Sequence, residues 1–174
     1  MKRIERLISD AVYQEYLHRN LEAQTEERLC GYDLSHHFDV ARIIYILVLE
    51  RNELNYFVRD AELNGRLAAK EVLYAAGLLH DIGYWQEHEE GEDHAVVGAL
   101  LAKDILLRVG FDEKETRIIC RAIFEHRYIN QEMSFLGERL LRADNLARNC
   151  SMCEFLVDCP SASTLEFSVS SIEY

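Results

Sequence analysis

Apolar residues recur at helical spacing along most of the chain. In the first 29 residues, Ile4, Leu7, Ile8, Val12, Tyr16 and Leu17 keep a 3.6-residue period among charged neighbours, which predicts one or two amphipathic helices whose role is packing. Gly31 closes this segment, and Asp33 or Ser35 can cap a new helix with the apolar face Val40, Ile43, Ile44, Leu47 and Val48 and with His36 in its first turn. Residues 52–64 are polar and aperiodic and read as a loop. Residues 67–79 are nearly all apolar, which predicts a helix at the centre of the core, ended by Gly83. The stretch 84–93, with Glu87, Glu89, Glu90 and Glu92, reads as an exposed acidic loop, a frequent place for substrate-contacting groups or a lid. Three more helices are expected over 94–109, 112–127 and 134–149, with Gly110 between the first two and Gly137 near the start of the third. Beyond them helical periodicity is lost, and Thr164, Phe167, Val169 and Ile172 suit an irregular or extended tail or a short strand.

Composition supports the helical reading. With one proline and eight glycines in 174 residues, few places force a helix to break, whereas many short strands would need many turn residues. The length lies within the roughly 100 to 200 residues of one domain, so a single all-α unit is expected over 1–174. The formal charge of −12 is spread along the chain and should repel the phosphates of long nucleic acids. It does not exclude a small phosphorylated substrate, because bound divalent cations can reverse the potential inside a pocket. The opening MKRIERLISD lacks the uninterrupted apolar stretch of a signal peptide, and no run approaches the ~20 apolar residues of a membrane span. A cytoplasmic protein with no membrane partner is expected, its five cysteines being thiols or metal ligands rather than disulfides.

The pair His80 and Asp81 follows directly on the apolar run 74–79, where an unpartnered carboxylate would be strongly disfavoured. A divalent metal would consume that polarity. Adjacent helical residues point about 100° apart, but at a C-terminus closed by Gly83 both side chains can converge on an ion just past the last turn.

The segment AAGLLHDIGY resembles the signature of the HD-domain metal-dependent phosphohydrolases, in which a helix of small and apolar residues ends in His-Asp-Ile-Gly. DLSHHFDVA is similar to that family's upstream histidine followed four residues later by valine, with His36 and Val40 in those places; His37 is then rotated toward the rim or surface. LLRADNLAR supplies Asp144 beside Leu140, Leu141 and Leu146 where the family carries its last aspartate. His94 in EDHAVVGALLA and His126 in EHR lie where many members have two further histidines. The order His36, His80, Asp81, His94, His126, Asp144 thus looks like the binuclear branch. The resemblance covers about 30–149, with a helical segment 1–29 before it and a cysteine-containing tail 150–174 after it. His18 and His88 match nothing in it and are read as surface residues.

The resemblance implies one or two divalent ions (Mn, Fe, Zn, Ni or Mg) held by these six residues. It also implies hydrolysis of a small phosphate ester, a nucleotide foremost, with Asp81 bridging if there are two ions and His94, His126 or Arg127 stabilising charge on the phosphate. Two other readings follow from the same ligands: a di-iron oxygenase of a small organic substrate, and a non-catalytic nucleotide-binding sensor. Cys150, Cys153 and Cys159 form a C-x-x-C followed by a third cysteine, part of a zinc or iron–sulfur ligand set lacking its fourth member; a second, structural metal and ordinary reduced thiols are both open there.

Overall fold

Among the described residues, four helices start on a side chain that accepts from their exposed N–H groups, the role for which Asp and Ser are suited. Asp10 accepts from the amides of Val12 and Tyr13, Asp93 from Ala95, and Ser134 from Gly137. Asp112 and Glu115 form a reciprocal capping box. The computed structural model describes residues 1–23, 34–127 and 132–148. Among these, nine helices follow one another: α1 Lys2–Ile8, α2 Ala11–Glu22, α3 Leu34–Glu50, α4 Leu54–Asp60, α5 Gly65–Leu79, α6 Tyr84–Glu90, α7 His94–Val109, α8 Glu113–Glu125 and α9 Phe135–Ala147. No strand occurs among the described residues, and the all-α expectation holds. None of the described helices is long and apolar enough to cross a membrane.

The apolar run is the axis of the molecule. From Ala68 to Leu79, α5 buries all but two of its residues, and α3 lies against it so closely that a Cβ on Gly77 would stand 2.5 Å from the Cα of Ala41. α9 packs on α3, α7 on α8, and α8 on both α5 and α9. Val40, Ile44, Leu73, Ile105, Ile119 and Leu140 meet in the shared core. In the N-terminal segment, the described residues 1–23 form two helices bound into the same core: Ile4 and Leu7 are buried. The Arg3 guanidinium pairs with Glu71 (Nε to Oε2, 2.6 Å) and Glu115, and stacks 4.2 Å over Phe111.

Four sequence expectations are corrected. Residues 52–64 contain a helix, α4, which buries Leu54 and stacks Phe57 on Phe135 with ring centroids 5.1 Å apart. It is framed by two left-handed residues without the usual glycine, Asn52 (φ 55°) and Glu62 (φ 48°). Each ends the preceding helix in the same way: the amide that follows reaches back five residues, Glu53 to Val48 O (2.9 Å) and Leu63 to Val58 O (2.8 Å). Residues 84–93 likewise contain α6, whose Tyr84 and Trp85 are buried and which ends at Gly91 (φ 74°). Gly83 (φ −95°) does not serve as a left-handed stop. A Cβ there would lie 2.7 Å from Gly98 N and 2.9 Å from His94 O, so its role is to let the turn after α5 touch α7. The helix cap assigned to Asp33 and the tail 150–174 lie outside the described residues; Ser35 falls inside α3 rather than at its cap.

Candidate metal centre

At the C-terminus of α5 the last carbonyls lose their helical partners and must find others. Gly77 O accepts from His80 Nδ1 (2.8 Å), Leu78 O from the Tyr13 hydroxyl (3.1 Å) and His37 Nδ1 (2.8 Å), and Leu79 O from the Ile82 amide (3.1 Å). Asp81 O accepts from the Tyr84 amide (3.0 Å) and from Asn20 Nδ2 (2.8 Å). These contacts hold the carbonyls of Gly77, Leu78, Leu79 and Asp81, and the turn carries His80 and Asp81, both fully or nearly fully buried.

Four other elements bring side chains to this turn. His36 comes from the first turn of α3, Asp144 from α9, His94 from the first position of α7 and His126 from the C-cap of α8. Ligand-type atoms of His36, His80, Asp81 and Asp144 form one group, and those of Asp81, His94 and His126 a second, each group within 4.8 Å. His36 Nε2 stands 3.1 Å from Asp144 Oδ1, and His80 Nε2 stands 3.0 Å from Asp81 Oδ2 and 3.7 Å from Asp144 Oδ1. The other oxygen of Asp81, Oδ1, is 3.2 Å from His94 Nε2 and 3.3 Å from His126 Nε2. Donors held at about 2.0–2.2 Å from one ion stand roughly 3–3.5 Å from each other, so these separations are those of neighbouring ligands.

The ring nitrogens are sorted in the same sense. Nδ1 of His80, His94 and His126 donates to Gly77 O, to Glu87 Oε2 (2.5 Å) and to Ile123 O (2.6 Å), which leaves each Nε2 turned toward the carboxylates. Burial alone would keep His80 neutral, but Asp81 and Asp144 outweigh it and push the pKa up to about 10; His94, buried beside Asp81 and Glu87, is pushed up to about 9. Burial works against the Asp81 and Asp144 charges too, yet the histidines around them, and Arg148 beside Asp144, hold both well below the usual carboxylate range. The carboxylates thus favour positive charge at this point. The fit of a cation is sharpest at His80 Nε2 and Asp81 Oδ2, buried atoms that face each other at 3.0 Å and make no hydrogen bond. An ion between them would satisfy both.

His37 is corrected: it has no exposure at all. It is turned inward, where its Nδ1 is a second donor to the Leu78 carbonyl beside the Tyr13 hydroxyl, and burial, with the neighbouring His80 charge, pushes its pKa down to about 4. Its ring centroid lies 5.2 Å from that of His80, as close as that of His36 at 5.3 Å, yet its Nε2 joins neither group. Arg127 is gripped by both oxygens of Glu87 (2.6 and 3.1 Å) and stands 3.4 Å from His94 Nδ1. His18 and His88 are exposed, as expected. Cys30, Cys150, Cys153 and Cys159 lie outside the described residues; Cys120 is a half-buried thiol pushed up to about 11 by burial.

Sequence reasoning missed the contacts of three residues here: Glu87, named only as part of the acidic stretch, stands behind His94; Arg148 Nη2 is 2.5 Å from Asp144 Oδ2; and Asn20 lies beneath Asp81. Arg148 is one helical turn beyond Asp144 and could have been found by spacing. Nothing local marks the other two.

A model of the HD domain family matches residues 33–149, most of the chain, and the chain belongs to that family. Its members are in general metal-dependent hydrolases, and the two His/Asp groups are of the kind that holds a divalent metal. The chain is 30% identical to an uncharacterized protein of Clostridium beijerinckii over 91% of its own length and 92% of that protein's. It is 31% identical to a bifunctional uridylyltransferase/uridylyl-removing enzyme of Streptomyces coelicolor over 48% of this chain and 10% of the relative. With a ribonuclease Y of Lactobacillus gasseri it shares 27% identity over 62% of this chain and 19% of the relative. The last two matches therefore span only a small part of those proteins. No solved structure gives a significant match.

Proposed function

We propose that this chain is a metal-dependent phosphohydrolase of a small phosphate ester, a nucleotide foremost, and that His36, His80, Asp81, His94, His126 and Asp144 hold one or two divalent ions. The observation that carries the reading is the carboxylate of Asp81, whose two oxygens face separate imidazole sets, His80 on one side and His94 with His126 on the other. When bound, a divalent cation supplies charge that polarises a phosphoryl group and lowers the pKa of water from 15.7 toward about 7. The protein's part is to hold the ligand atoms in register through the Nδ1 contacts of three histidines, and to exclude bulk water from a site whose members are almost all buried. Arg127, beside His94, draws the phosphate by its charge.

Both named relatives refer to nucleotides, a uridylyl group in one and RNA in the other, which supports a nucleotide substrate. The charge of −12 favours a small one over a polymer. The test is release of phosphate or nucleoside from a nucleotide panel with added manganese, wild type against Asp81→Ala. Turnover by the wild type alone supports the reading; equal rates in both refute it. Oxygen uptake on an organic substrate, or tight nucleotide binding with no product, would replace it with an oxygenase or a sensor.

A further inference from the structure

In an unbroken helix the Trp85 amide would donate to the Asp81 carbonyl. Here a side chain stands between them. Asn20 Nδ2 donates to Asp81 O (2.8 Å), and Asn20 Oδ1 accepts from Trp85 N (3.0 Å). The carboxamide thus stands in for both halves of the missing bond, and insertion of a side chain into the helical ladder is a recognised cause of a sharp bend. Asp81 O instead closes a tighter turn with the Tyr84 amide, 3.0 Å. The bend separates α5 from α6 at the residue whose two oxygens face the two histidine sets. Asn20 has no exposure, belongs to α2 and precedes residues 33–149, so it lies outside the segment that defines the family.

We propose that Asn20 is a positioning residue for the metal centre: its amide holds the turn between α5 and α6 open and so aims the Asp81 carboxylate. This rests on the metal-centre reading above. Removing the amide lets the 81–85 segment close toward a regular helical turn, which rotates the Asp81 side chain away from His94 and His126. Asn20→Ala removes both bonds. Asn20→Asp keeps an acceptor for Trp85 but puts a carboxylate oxygen against the Asp81 carbonyl. Tyr13→Phe is the control, from the same helix and equally buried; the carbonyl it loses, Leu78 O, keeps His37 as a donor.

The experiment is titration of the full-length chain with Mn²⁺ alone, read by calorimetry and by electron paramagnetic resonance, alongside thermal melts. The wild type should bind Mn²⁺. Asn20→Ala and Asn20→Asp should bind about 10- to 100-fold more weakly, with a changed resonance spectrum, as is usual when a group that orients a ligand is removed. Tyr13→Phe should lower the melting temperature while leaving affinity and spectrum unchanged. Wild-type affinity and spectrum in both Asn20 variants would overturn the proposal, as would an equal loss in Tyr13→Phe, which would mark the effect as general loosening. If Asn20→Ala does not fold, Asn20→Asp decides. A wild type that takes up no Mn²⁺ would sink the metal-centre reading itself, and this proposal with it.

Discussion

Replacing Gly77 with alanine sets two effects against each other, and Gly98 offers the same replacement with one of them removed. Both glycines lie inside helices, α5 and α7, where alanine is favoured by about 1 kcal/mol for lower backbone entropy loss. At Gly98 the new Cβ would meet His80 O and Ile123 Cγ2 at 3.5 Å, ordinary contact distances, so the propensity gain should survive. At Gly77 it would meet the Ala41 Cα at 2.5 Å and the Ala41 N at 2.6 Å, against a normal separation of about 3.5–4.0 Å between carbons. Those are backbone atoms and cannot rotate aside, so α3 must move outward by about 1 Å. Overpacking of this kind costs about 1–3 kcal/mol, and the closeness places it at the upper end. The expected net effects are a loss of about 2 kcal/mol for Gly77→Ala and a gain of up to about 1 kcal/mol for Gly98→Ala. For a chain of this size, those correspond to melting temperatures lower by about 4–8 °C and higher by up to about 4 °C. Urea unfolding and differential scanning calorimetry read both. Because α3 carries His36, Gly77→Ala should also weaken Mn²⁺ binding. A Gly77→Ala protein as stable as the wild type would mean that α3 and α5 do not approach as described, and that the spacing of His36 and His80 needs another explanation.

Two further outcomes are expected. Glu87→Gln removes the charge that holds His94 Nδ1 and pairs with Arg127, and should weaken Mn²⁺ binding about 10- to 100-fold, measurable by calorimetry; unchanged affinity would remove Glu87 from the site. Glu125 accepts from the Ser134 amide (2.8 Å) and hydroxyl (2.5 Å) and pairs with Arg121; burial works against its charge, yet these contacts lower its pKa below the ordinary 4.5. A carboxyl lowered on folding contributes stability that is fully present above its unfolded pKa and is lost as the pH falls through the folded one. Glu125→Gln should therefore be less stable than the wild type by about 1–2 kcal/mol at pH 7, with the gap shrinking steadily below pH 4.5 in urea titrations; a gap independent of pH would refute this account.

The hydrophobic pattern resolved α3, α5, α7, α8 and α9, whose period runs for several turns, and the N-terminal helical stretch that holds α1 and α2. Periodicity is a local signal, and so is the run of apolar residues before His80 that made an embedded Asp81 conspicuous. Of the three seven-residue helices, α1 was anticipated because its pattern runs on into that of α2, whereas α4 and α6 were read as loops for a local reason as well. Seven residues hold too few apolar positions to show a period, and Glu62, a left-handed residue without glycine's usual signal, looks like any surface glutamate. What only the tertiary structure decided is which polar side chains turn inward. His37 is buried where a carbonyl 41 residues away takes it as a second donor, Asn20 where a bend 61 residues away takes an amide, and Gly83 is glycine because α7 passes over it. Each answers the backbone groups or the close packing of a distant segment, and a chain carries no mark of those needs until it has folded.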